Sequence, residues 1–194
     1  MFAAAFAAFS VAVALGWLYG PDLWALQMTQ EHRSGFLDMA SGVFSLPGGM
    51  EVAGAALLML LAALFLRGRR VLAGRLLVVF VVTELLELAM KLYLPQVPVP
   101  SNERFGDFAP LLVANLPYPY PSGHMLRGVI LLGTLYLLSR SRLLRTGLVL
   151  ALLGLAASRI YSGAHWASDV VGGALLGIAA LLWVFGKEDG WRSR

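Results

Sequence analysis

The chain contains no cysteine, and only 13% of its 194 residues are charged. Without cysteine there is no disulfide framework, no thiolate nucleophile and no Cys-ligated metal. The charged fraction is about half that of an average soluble domain, which leaves too little polar surface to wrap a water-soluble core of this composition. Disorder is excluded as well, because disordered segments are poor in apolar residues and rich in charge. What is abundant is hydrocarbon: 59% of residues are hydrophobic, with a mean hydropathy of +0.75. The sequence therefore describes an integral membrane protein with a single domain over residues 1–194.

Six apolar stretches are expected to form helices: Phe2 to Tyr19, Pro47 to Leu66, Val71 to Leu94, Ser122 to Leu138, Leu143 to Tyr161 and Trp166 to Phe185. Their lengths fall near the roughly 17–25 residues a spanning helix needs. They lack the alternation of apolar and polar residues that a membrane barrel requires. The first stretch has no basic residue ahead of it, unlike a signal peptide, and is read as the first helix. Between it and the second, Glu31 to Phe44 reads as a short amphipathic piece lying on the membrane surface. Seven of the nine prolines fall between Pro95 and Pro121, so that connection reads as a rigid, irregular lid.

The net charge of +4 is not a nucleic-acid footprint, because the basic residues form no single stripe. Ten of the 15 Lys and Arg sit in three places: Arg67, Arg69, Arg70 and Arg75; Arg140, Arg142 and Arg145; and Lys187, Arg192 and Arg194. These segments alternate with connections that are poor in Lys and Arg, so the positive-inside rule puts them, and both termini, in the cytoplasm. Six ionisable residues at helix ends gather on the opposite side. Lys91 closes the third, His124 and Arg127 open the fourth, Arg159 closes the fifth, and His165 and Asp169 open the sixth. Charged groups in such places are functional-site hypotheses, because leaving them in hydrocarbon costs several kcal/mol.

His165 and Asp169 are four residues apart and share one helix face. A carboxylate on one imidazole nitrogen fixes the tautomer and leaves the other to attack or to take a proton. His124 supplies a second imidazole suited to general acid work. Lys91 and Arg159 bring fixed positive charge, and Ser122-Gly123 opens a helix whose N-terminus favours an anion. Two imidazoles, a carboxylate and several cations around an anion pocket point to phosphoryl transfer through a phosphohistidine. Each part alone has a plainer reading: a helix-start pair, a capped turn, or cations reaching for the head groups. A zinc site on two His and one Asp is disfavoured by the adjacent cations. Glu84, Glu87 and Lys91 share a face of the third helix, and the preferred reading is a Glu87–Lys91 pair that makes both charges tolerable there. Gly173 and Gly177 read as a close-packing surface within the bundle.

The chain resembles the type 2 phosphatidic acid phosphatase (PAP2) superfamily, with its motifs K-x6-R-P, P-S-G-H and S-R-x5-H-x3-D. The second is intact as Pro121-Ser122-Gly123-His124. The third is intact from Ser158-Arg159 through His165 to Asp169. The resemblance covers residues 91–169 and implies an all-α, six-helix membrane bundle. It implies His165 as nucleophile, Asp169 as its orienting partner and His124 as the acid for the leaving group, with Lys91, Ser122, Gly123 and Arg159 binding phosphate. It further implies a membrane lipid phosphate or diphosphate as substrate: undecaprenyl diphosphate, phosphatidylglycerol phosphate or phosphatidic acid. Hydrolysis would take place on the extracytoplasmic side without a metal or organic cofactor. A lipid phosphotransferase and a non-catalytic phospholipid-binding or translocating protein stay as alternatives, and the oligomeric state is open. The first motif departs from the pattern. Seven positions after Lys91 stands Pro98, followed by Val99, where Arg-Pro is expected. Arg127 and Arg104 are the candidates for the absent clamp, with the polar segment around Arg104 also able to meet a head group.

Overall fold

The computed structural model describes residues 2–104 and 116–186. Every regular element among them is helical: α1 (Phe2–Ala14), α2 (Tyr19–Gln30), α3 (Gly35–Ser45), α4 (Met50–Leu66), α5 (Arg70–Tyr93), α6 (Gly123–Leu138), α7 (Arg142–Tyr161) and α8 (Ala167–Phe185). Short 3-10 turns at Leu46–Gly48 and Ser101–Glu103 punctuate the connections. Serine hydroxyls start three of the helices by accepting a backbone N–H: Ser34 from Leu37, Ser122 from Met125 and Ser141 from Leu144. Each satisfies a donor that the first helical turn leaves unpaired.

The surface is that of a protein immersed in lipid. Large apolar side chains point outward along α4, α5 and α7, among them Leu58, Met59, Leu77, Val82, Leu150 and Leu153, while Leu143 is 85% exposed. Water would not tolerate so much contiguous apolar surface. By length and composition α7 and α8 each suffice to cross a membrane. The pair α1–α2, and α3 with its 3-10 turn joined to α4, pass the same test only when each pair is taken together, bent at the break by 85° and 43°. The interior holds the polar groups instead, including Glu87, Arg127, Arg159 and Asp169.

Helix α6 occupies the middle of the bundle, buried almost continuously from Gly123 to Leu132. It packs on α4, α5, α7 and α8. Its contact with α8 is close because the facing residues are small. A Cβ on Gly173 would strike the backbone carbonyl of Ser122, and one on Gly177 would press on Val129. Gly128 of α6 likewise receives Leu155 of α7. The packing surface expected at Gly173 and Gly177 is thus internal to the bundle. At the far end of the bundle Arg75 donates to the Val184 carbonyl near the end of α8 at 3.4 Å, and Arg145 to Tyr136 O near the end of α6 at 3.3 Å. Two of the basic clusters therefore lie opposite the end where α6 and α8 begin, and cations suit helix C-termini.

Two expected elements take a different form. The first apolar stretch is not one helix to Tyr19: α1 stops at Ala14, and Gly16 turns the chain with φ +73° before α2 leaves at 85°. A side chain would be strained in that left-handed conformation, and glycine is not. The segment expected to be a short amphipathic piece is α3 from Gly35, and its small-residue face packs along α7. Ser41 donates to Ser158 O at 3.2 Å, and Phe44 fills the space over Gly154. Small residues on one face of α3 (Ser41, Gly42 and Ser45, all buried) make that approach possible. The irregular Pro-rich connection is present at both ends, with Pro110 and Asp107 outside the described residues, as are Lys187, Arg192 and Arg194.

The α6–α8 contact makes a direct prediction. Gly173→Ala puts a methyl group against an immovable carbonyl and should destabilise the bundle by about 1–3 kcal/mol. Gly147→Ala, where nothing lies within 4 Å, should be neutral or mildly stabilising because alanine favours helix. Thermal unfolding in detergent distinguishes the two.

Candidate active site

The second and third motifs meet through the backbone. Ser122 N–H donates to Asp169 O at 2.9 Å, so the loop that opens α6 is joined to the first turn of α8. Tyr120, just ahead, is fully buried, its ring against Gly172 and its hydroxyl 2.9 Å from Ser10 of α1. The link from α7 to α8 is equally tight. Gly163 turns at φ +64° with Glu103 O packed over it, and His165 N–H donates to Arg159 O at 3.2 Å.

Within this frame Asp169 Oδ2 lies 3.1 Å from His165 Nδ1 and accepts the Trp166 N–H at 3.0 Å. Asp169 is fully buried, and His165 is 8% exposed. The expected contact forms, but not across one helix face: His165 precedes Trp166, the N-cap of α8, and the Asp169 carboxylate in the first turn reaches back to it. Nδ1 toward a carboxylate is the donor tautomer by the logic of the network. His124 follows the Ser122 cap of α6 and lies within electrostatic reach of Arg159, Arg127, His165 and Lys91. The 3-10 turn before α4 presses on it, since a Cβ on Gly48 would strike the His124 backbone. From Gly49 the same construction would stand 4.0 Å from His124 Nε2 and 3.9 Å from Glu51 Oε2.

The cations are distributed unequally. Arg159 is buried, its Nη1 donating to Ser45 Oγ at 2.6 Å at the end of α3. Lys91 Nζ pairs with Glu87 Oε1 at 2.7 Å, as expected for residues one turn apart. Arg127, 6% exposed, does not reach out to the head groups. It turns into the bundle, where Nε donates to Gly48 O at 2.9 Å and Nη1 meets Glu84 Oε2 at 3.0 Å and Glu87 Oε2 at 3.3 Å. The two carboxylates of α5 draw it inward, because a buried charge demands a partner. Arg104 folds onto its own loop, donating to Val99 O at 3.0 Å. Among the described residues no group of three or more His, Asp and Glu is arranged to hold a metal ion.

Three contributors escape the sequence reading. Asp22 of α2 accepts the Ser168 N–H at 2.7 Å and its hydroxyl at 2.6 Å, capping α8 beside Asp169. Gln96 Nε2 reaches the same hydroxyl at 3.3 Å, and Trp166 Nε1 donates to Val97 O at 2.6 Å. Asp22, Gln96 and Trp166 also line a cavity of about 310 Å³ between the α1–α2 bend and the Pro-rich connection. Ser45 and the Gly48-Gly49 turn complete the surroundings of Arg159 and His124. Pairs such as Asp22 and Ser168 are 146 residues apart, and no local spacing betrays them.

The arrangement defines a membrane-embedded helical bundle in which a His–Asp pair, a second histidine and buried cations converge at one end. A family model of the PAP2 superfamily matches residues 73–191, which takes in both intact motifs, and the chain belongs to that superfamily. A solved structure described as the first transmembrane PAP2-type phosphatidylglycerolphosphate phosphatase, from Bacillus subtilis, superposes with a TM-score of 0.76 at 20% sequence identity. The match covers 95% of this chain and 92% of that one. No curated protein matches the sequence.

Asp22 anchors the start of α8 from outside the motifs, which yields a test. Asp22→Ala removes two charge-assisted bonds and leaves a buried N–H unpaired, a loss of about 1.5–3 kcal/mol. Asp22→Asn keeps an acceptor for the amide and should retain most of that stability. Melting temperatures of the two variants in the same detergent check the order.

Proposed function

We propose that the chain is a phosphatase that removes phosphate from a membrane lipid phosphate or diphosphate through a phosphohistidine on His165. The observation that carries this reading is the 3.1 Å contact of His165 Nδ1 with a fully buried Asp169 carboxylate, placed beside the start of α6 by the Ser122–Asp169 backbone bond. With Nδ1 committed to the carboxylate, Nε2 is the attacking nitrogen. It displaces the lipid alkoxide or phosphate in line, and Asp169 stabilises the imidazolium as charge builds. His124 protonates the departing oxygen. It then takes a proton from water, which attacks phosphorus and returns His165 to its starting form. Lys91, Arg159 and the Ser122-Gly123 helix start hold the phosphoryl oxygens. Of the two candidates for the absent first-motif clamp, Arg127 is the closer, since it shares Glu87 with Lys91. The chemistry needs no metal.

In this reading the bundle crosses the membrane six times. At about 1.5 Å per residue the 24 residues of α5 reach roughly 36 Å, and the shorter α6 is sheathed by its neighbours. The basic loops lie in the cytoplasm with both termini, and the site opens on the other side. Phosphatidylglycerol phosphate, phosphatidic acid and undecaprenyl diphosphate are the substrate candidates. The lipid tail stays in the bilayer while the head enters at the ends of α5 to α8. The Pro98 and Val99 in place of Arg-Pro favour, as a second reading, a phospholipid-binding or translocating protein that has lost turnover. A phosphotransferase differs from the phosphatase only in the acceptor.

Phosphate release by the detergent-purified protein, assayed on the three lipids with EDTA present, tests the proposal. The wild type should hydrolyse at least one, and His165→Ala should lose about 10³-fold or more. Hydrolysis unaffected by His165→Ala, or dependent on added metal, contradicts it. Binding without release supports the second reading, and phosphate found on an added alcohol identifies the transferase.

A further inference from the structure

The anion-favouring place at the first turn of α6 already holds an acid. Gly123 is the first residue of that helix, and a Cβ on it would run into the Glu87 carboxylate, whose Oε1, Cδ and Oε2 are its three nearest atoms. A Cβ leans toward the N-terminus of its helix, so the Glu87 carboxylate sits beside the helix start, where the backbone dipoles favour negative charge. It is 6% exposed, with Oε1 2.7 Å from Lys91 Nζ and Oε2 3.3 Å from Arg127 Nη1. Arg127 divides itself further with Glu84. Two carboxylates and two cations form a cluster of zero formal charge. Lys91 and Arg127, two of the three cations read as phosphoryl ligands, are therefore neutralised from within, and Arg159 lies outside the cluster.

We propose that Glu87 is a specificity-determining residue, an internal counter-anion with which the phosphoryl group must share Lys91 and the start of α6. This rests on the reading of Lys91, Ser122 and Gly123 as phosphate binders. The consequence is weak affinity for phosphate itself, so that binding depends on the lipid body of the substrate and the released phosphate leaves readily. A Glu87 that merely holds Lys91 in place predicts the opposite sign: its removal would loosen the clamp and weaken phosphate binding.

The experiment measures binding of inorganic phosphate and of orthovanadate to the purified full chain by calorimetry in detergent, alongside turnover of a lipid phosphate. Glu87→Gln should tighten both anions about tenfold or more. Glu87→Asp, which withdraws the carboxylate by one methylene, should tighten them by a smaller factor. Glu84→Gln removes an acid that touches Arg127 and not Lys91, and should change affinity less than threefold. Unchanged or weaker binding in Glu87→Gln overturns the proposal, as does equal tightening in Glu84→Gln, which would be a general field effect. If Glu87→Gln does not fold, the sign of the change in Glu87→Asp decides in the same way. A wild type that turns over lipid phosphate, with no tightening in either Glu87 variant, removes the counter-anion alone. A wild type with neither phosphate binding nor turnover removes the underlying reading as well.

Discussion

The close approach of α8 to the first turns of α6 is the constraint on which the rest of the molecule depends. It needs Gly173 and Gly177, because any side chain there would meet Ser122 O or Val129. With the helices in contact, Ser122 N–H reaches Asp169 O, and a loop from the middle of the chain is locked to a helix start near its end. The His165–Asp169 pair inherits its position from that lock. Asp22 secures the same helix start from the other side through Ser168. Packing, capping and candidate chemistry thus share a few small residues.

Charge balance is the second organising principle. In a bundle whose outside faces lipid, the interior must hold its ionic groups in pairs, and removing one partner of such a pair costs about 3–5 kcal/mol. Glu84, Glu87, Lys91 and Arg127 satisfy that demand together, with Gly48 O taking one further Arg127 donor. Arg159, at the end of α7, donates to Ser45. The cluster explains why Arg127 is buried although it lies near the end of a helix. A lone cation there would reach for the head groups, but two acids one turn apart on α5 turn it inward.

The sequence made much of this visible. Hydropathy alone marks where α4 to α8 run, and the four-residue spacing of His165 and Asp169 foretells their contact, although His165 lies just ahead of α8 rather than on its face. The Glu87–Lys91 pair follows from the same rule. The bend at Gly16 is not legible, because an uninterrupted apolar run conceals a glycine whose backbone turns left-handed. The docking of α3 on α7 depends on Ser41, Gly42 and Ser45 fitting against a helix more than 100 residues away, which composition reads as mere amphipathicity. Asp22 and the fate of Arg127 are hidden for the same reason: their partners are remote in sequence, and only the three-dimensional balance of buried charge decides them.

The central claim is that His165, aimed by Asp169, carries the phosphoryl group. The most direct measurement is to mix His124→Ala, which lacks both the leaving-group acid and the base of the second step, with a lipid phosphate labelled in its phosphoryl group, quench within seconds to minutes and digest under alkaline conditions. The account predicts label on the peptide containing His165, stable to alkali and lost in acid, as expected for a phosphoramidate. Label on another residue, an acid-stable ester, or no labelled enzyme while this same variant still releases phosphate would contradict it.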